Sequence, residues 1–216
     1  MTRLHPVTTF SLRSEAAFAP PSLSQSILDV LSSNQESFAT MQAVLSELDD
    51  ECARRNGAQS SARTAPKGLG VFPNNLSFRT STGTVVGLAY VGGVSMLTQS
   101  VSATDTFSVI SPYNNSHWLD FRAVTVAHEY GHLLNINHAA CGGPTDTDSR
   151  LYPDGRLGGN AGYDSARSFY FSSQRLNNSG QPQFADLMSY CAKEWSSDRG
   201  YLAALSYRGA GSARVD

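Results

Sequence analysis

The apolar positions of this chain change rhythm several times, and each change marks an element. Ile27, Leu31, Phe38, Met41, Leu45, Leu48 and Cys52 recur at helical spacing, the last five in a 3-4-3-4 pattern. Ser22 or Ser24 can cap such a helix and Asn56-Gly57 can end it. It either packs on the sheet of the same domain or serves as a prosegment or partner-binding helix. The polar stretch 56–68, rich in Ser and Ala, reads as an exposed loop open to proteolytic trimming. Strand-like runs follow at 70–72, 76–80, 84–94 and 106–110, parted by turn formers such as Asn74-Asn75 and Thr82-Gly83. A second helix is predicted over 117–134, capped by Asn115 or Ser116. Trp118, Phe121, Val124, Val126 and Leu133 give it apolar cover on most sides, so it should be central and buried. Residues 139–183 are rich in Gly, Asp, Asn, Ser and Tyr and hold little periodicity beyond 166–172. A last helix is capped within Trp195-Ser196-Ser197-Asp198 and runs to about Arg208, while 1–22 is an irregular extension with one strand near 7–12. The pattern is that of an α+β fold.

The second helix carries the chemistry. In His128-Glu129-Tyr130-Gly131-His132 the two histidines are i and i+4, so their rings leave one helix face and can share one ion at a Zn–N distance of about 2.0–2.1 Å. Glu129 lies one step round, beside that ion without ligating it, where a carboxylate can take a proton from a bound water. His138 cannot share the face if the helix continues, because six residues is far from a whole number of turns. It can if the chain reverses after Leu134, and Asn135 is a residue that tolerates the left-handed conformation such a reversal needs. Chance alone yields H-E-x-x-H in roughly a few per thousand chains of this His and Glu content, and a His at the third offset lowers that by about fortyfold.

His128, Glu129, His132 and His138 resemble the H-E-x-x-H-x-x-G-x-x-H signature of the metzincin zinc endopeptidases, with Asn135 where that family usually has Gly. The resemblance implies a metzincin-like architecture. A small twisted mixed sheet and the long zinc helix form an N-terminal lobe, and an irregular C-terminal lobe ends in a helix. Residues 23–216 would then be one catalytic domain, 23–138 its upper lobe and 139–216 its lower lobe. One catalytic Zn2+ is implied on His128, His132 and His138, with Glu129 as general base. The run Gly87-Leu88-Ala89-Tyr90-Val91 is similar to the edge strand that pairs with the substrate backbone, though a plain buried strand explains it equally well. Met188, in Asp186-Leu187-Met188-Ser189-Tyr190-Cys191, looks like the methionine of the Met-turn, an apolar floor beneath the metal ligands. Tyr190 matches the tyrosine that astacin- and serralysin-like members hold near zinc, with a hydrogen bond to the oxyanion as its implied role. If the segments after the third His and the Met-turn meet, a Cys141–Cys191 disulfide is expected, and Cys52 is left over.

Composition narrows the partners. A formal charge of −2, with no basic cluster, argues against nucleic acid, and the most apolar run, 85–97, is too short and too rich in Gly to span a membrane. Charged residues make up only 16%, which with the expected disulfide points to a secreted or extracellular protein. The resemblance implies protein or peptide substrates, and a monomer is expected. Residues 1–21 do not read as a secretory leader, since His5, Pro6, Thr8, Thr9, Ser11 and Arg13 interrupt any apolar core; secretion then needs a leader outside this chain or a leaderless route. Asp146, Asp148, Asp154 and Asp164 could hold Ca2+, but their spacing fits no calcium loop and solvated turns account for them better. His5 and His117 have no partner in the pattern. The alternative to an endopeptidase is a catalytically silent zinc-binding effector or interaction module, which an intact Glu129 argues against.

Overall fold

A five-residue strand, Ser95–Gln99 (β6), is the middle of the main sheet in the computed structural model. The structure describes residues 36–57, 65–72, 78–81, 83–99, 121–159, 161–164, 168–191 and 194–209. Gly68–Phe72 (β2) pairs with β6 in parallel, Leu69 opposite Met96, and Gly87–Ala89 (β5) pairs with it antiparallel, Leu88 opposite Leu97. The sheet is mixed, as expected, and β5 is at one edge of the order β2-β6-β5.

Successive side chains of a strand point to opposite faces, and β6 shows the consequence. Leu97 joins Phe72 and Phe78 against Met41 and Leu45 of the helix Phe38–Asn56 (α1). Met96 joins Ala127, Tyr130 and Leu133 of the helix Phe121–Leu133 (α2). The sheet is therefore covered on both faces, and Ser95 to Thr98 are all buried. A strand buried on both faces shows no alternation, and the strand-like run expected at 84–94 stops short of this one. Asp49 of α1 fixes where β6 starts: its Oδ1 accepts from the Val94 and Ser95 amides, at 3.2 and 3.0 Å, and from Ser95 Oγ at 2.8 Å.

Two sequence expectations change. The long first helix begins only at Phe38, because Glu36–Ser37 (β1) is a strand paired in parallel with Phe78–Arg79 (β3). Backbone pairing with a distant strand overrides the apolar periodicity there. Ser22, Ser24, Ile27, Leu31 and the strand near 7–12 lie outside the described residues, as do the strand at 106–110 and the cap and first turn of the zinc helix. The run 84–94 is not one strand. Thr84–Val85 (β4) pairs with β3, β5 follows after Val86, and Gly92 at φ 72° turns the chain back into β6. The helix stop at Asn56-Gly57 holds, with Gly57 at φ 73°.

Beyond α2 the chain is mostly irregular, with a hairpin of Gly162–Asp164 (β7) and Phe169–Phe171 (β8) and a parallel pair, Ala185–Asp186 (β9) with Glu194–Trp195 (β10). The final helix Asp198–Tyr207 (α3) is capped by Ser197, whose Oγ accepts from the Gly200 amide at 3.0 Å. Its Ala203 and Ala204 reach the same core as α2.

The end of α2 decides where the third histidine goes. Asn135 has φ 62°. Its amide donates to the His132 carbonyl at 2.8 Å and the Ile136 amide to the Gly131 carbonyl at 3.2 Å, the two bonds of a Schellman cap with Asn135 in the left-handed position. Ile136 is 2% exposed, so the residue after the reversal is driven into the core. Replacing Asn135 with Ala should cost roughly 1 kcal/mol in denaturant unfolding, because a Cβ without a compensating polar group pays the left-handed penalty in full. Replacing it with Gly should change stability by less than about 0.5 kcal/mol.

Candidate metal centre

α2 presents His128 and His132 one turn apart, and the reversal returns His138 to them. Ring centroids are 4.9 Å apart for His128–His132, 4.6 Å for His132–His138 and 5.3 Å for His128–His138. One ligand atom from each lies within 4.8 Å of the other two, and among the described residues no other group of three His, Cys, Asp or Glu side chains does this.

Hydrogen bonding on the far side of each ring decides which nitrogen faces inward. His128 Nδ1 is 2.8 Å from the Leu187 carbonyl, His132 Nδ1 is 2.8 Å from the Ile136 carbonyl, and His138 Nδ1 is 2.8 Å from Asp146 Oδ1. Each partner is an acceptor, so each Nδ1 carries the proton and each Nε2 keeps its lone pair. Burial, and next the neighbouring His138, push His132 down to about 4, so it is a neutral imidazole at physiological pH. Three imidazole nitrogens from a helix turn and the loop after it suit a Zn2+ ion with an open fourth position.

Glu129 is 6% exposed. It packs against Gly87 of β5, where a Cβ would overlap the carboxylate, so only glycine lets the strand lie this close. Burial pushes the Glu129 carboxyl up to about 8 in the protein without a bound cation.

The far wall of the site comes from the segment after β9. The Ala139 amide donates to the Met188 carbonyl at 2.8 Å, and the Tyr190 amide to the Cys141 carbonyl at 3.0 Å. A Cys141–Cys191 disulfide, with Cα atoms 5.6 Å apart, closes the pair. Gly142, at φ 90°, packs against the backbone of Tyr190 with no room for a side chain. Met188 is buried at 2% exposure, and Asp186 Oδ1 holds its amide at 2.8 Å. The Tyr190 hydroxyl lies 2.8 Å from His138 Nε2, and its ring is 4.7 Å from that of His138. Burial, with Asp146 and Glu129 nearby, pushes the phenol up to about 12, so the hydroxyl is the donor to Nε2.

The structure thus brings His128, Glu129, His132, His138 and Tyr190 together, with Met188 and the disulfide behind them. Gly87, Leu88 and Ala89 form the edge strand beside Glu129; Tyr90 and Val91 follow it and are partly exposed. Asp146 holds His138, Asp148 pairs with Arg150 at 2.6 Å, Asp154 accepts from the Arg156 amide, and Asp164 ends β7. Cys52 is a free thiol on α1, against Gly68. The acceptors on the histidines went unread in the sequence; the cluster of aspartates after His138 was the signal for one of them. His5 and His117 are outside the described residues.

In metal-free protein the Glu129 shift makes stability pH-dependent. Its carboxyl titrates near 4.5 when unfolded and near 8 when folded, so its contribution is fully present below 4.5 and is lost as pH rises towards 8. Glu129→Gln should match the parent below that window and become progressively more stable than the parent through it. Denaturant midpoints measured against pH in the presence of a chelator check this.

No curated protein matches the chain. The sequence model of metallopeptidase family M12B, reprolysin-like, matches residues 67–188. The match covers more than half of the chain and runs from the main sheet through the histidine triad to Met188. The chain belongs to the reprolysin-like M12B metallopeptidase family.

Proposed function

We propose that the protein is a zinc endopeptidase, secreted and monomeric, that cleaves internal bonds of proteins or peptides. The convergence of three imidazoles, each with its Nδ1 engaged by an acceptor, carries this reading. One Zn2+ would be held by His128, His132 and His138, and when bound it supplies a lowered water pKa and polarisation of the scissile carbonyl.

The protein's own groups do the rest. Glu129 takes the proton of the attacking water and delivers it to the leaving amine, a role favoured by its burial beside the triad. The Tyr190 hydroxyl, a donor at neutral pH, stabilises the oxyanion as the carbonyl becomes tetrahedral. An extended substrate adds to the edge at Gly87 to Ala89, continued by Tyr90 and Val91, and main-chain hydrogen bonds bring its scissile bond to Glu129. Met188 serves as the apolar floor of the Met-turn. The disulfide favours an oxidising, extracellular setting, and among the described residues no helix is long and apolar enough to cross a membrane. We assign residues 23–216 to one catalytic domain whose cleft separates 23–138 from 139–216.

Casein or gelatin clearance should disappear on chelation and return with Zn2+. Glu129→Gln should retain stoichiometric zinc and lose at least about 10³-fold in kcat. A parental rate in that variant would leave the alternative, a zinc-binding module with a contaminating activity. Tyr190→Phe should lower kcat by roughly 10- to 100-fold while KM moves little, since the hydrogen bond strengthens in the transition state.

A further inference from the structure

The three histidines are not held alike. His128 and His132 give their Nδ1 protons to main-chain carbonyls, Leu187 and Ile136, whereas His138 gives its proton to a carboxylate, Asp146, at 2.8 Å. His138 is also the one histidine that stands outside the helix, on backbone that no helical ladder orients.

One short segment, 146–150, supplies both the ring partner and the backbone frame. The His138 amide donates to the Asp146 carbonyl at 3.2 Å, and the His138 carbonyl accepts from the Asp148 amide at 2.8 Å. Asp148 Oδ2 accepts from the Asn137 amide at 3.0 Å. The Arg150 guanidinium ties the Asp148 carboxylate to the Asn135 carbonyl, at the left-handed residue itself. The 135–138 backbone is thus gripped at three of its four residues by the segment that also presents Asp146.

We propose that Asp146 is the positioning residue for the third metal ligand, with Asp148 and Arg150 as the clamp that holds it in register; the proposal rests on His138 being a ligand. A carboxylate on Nδ1–H fixes the ring plane and tautomer and raises electron density at Nε2, making His138 the strongest donor of the three. The loop ligand, least restrained by local structure, receives a charged anchor.

Zn2+ affinity measured by competition with a chromophoric chelator tests this. Asp146→Ala should bind Zn2+ roughly 10- to 100-fold more weakly than the parent, with Asp146→Asn recovering part of the loss because it keeps an acceptor oxygen. The visible spectrum of the Co2+-loaded protein should shift in Asp146→Ala. The melting temperature of the metal-free protein should hardly move, because the Asp146 side chain is 54% exposed and such pairs add little stability. Affinity within about twofold of the parent would overturn the proposal. So would a loss matched by an equal fall in metal-free stability, which marks a structural defect of the loop. His138→Ala separates the two readings. If it binds Zn2+ as firmly as the parent, the assignment of the metal site has failed; if it does not, a null result at Asp146 counts against Asp146 alone.

Discussion

The site depends on one reversal of the backbone. α2 can bring two imidazoles to a common point by its own geometry, but a helix cannot bring a third that lies six residues on. Asn135, at φ 62°, ends the helix and sends Ile136 inward and His138 back. The cost of that conformation in a residue with a Cβ is offset by two capping bonds, by burial of Ile136, and by the grip of Arg150 on the Asn135 carbonyl. A glycine would need less support. Asp148 and Arg150 hold the backbone of this same reversal from outside it.

Two layers of restraint surround the reversal. On one side Glu129 is pressed between α2 and a glycine of β5, in a space too dry to favour its charge. A buried carboxylate without a nearby cation is costly, and a metal ion on the adjacent histidines would relieve that cost, coupling metal binding to the basicity of Glu129 by electrostatics. On the other side the segments 139–141 and 188–191 are joined by two main-chain bonds and a disulfide. This irregular half has little regular structure to stiffen it. Covalent and backbone ties close to the histidines do the work that a helix or sheet does elsewhere.

The sheet contributes less directly. β6 lies between α1 and α2, Leu97 facing one and Met96 the other, and it carries β5 as an edge in register with the helix that bears Glu129. Moving that register by one residue would turn the other face of β5 towards the helix and put a side chain where Gly87 meets the carboxylate.

The sequence by itself determined the chemistry of the centre: two histidines and a glutamate at helical offsets, a third histidine at a distance that demands a turn, and an asparagine able to make it. These are local properties, set by the period of a helix and the conformational freedom of one residue, and they survive without knowledge of anything distant. A cap within Trp195-Ser196-Ser197-Asp198 and the Asn56-Gly57 stop were legible for the same reason. What only the tertiary structure decided are the long-range partners. Glu36–Ser37 becomes a strand because β3 is there to pair with it, and Ser95–Gln99 becomes the central strand because helices cover both its faces, which erases the alternation that marks a strand. Asp146 reads as one more turn aspartate until the chain folds it against His138. Hydrogen bonds between side chains distant in sequence leave no period along the chain, so the groups that orient the histidines could be found only where the chain returned to them.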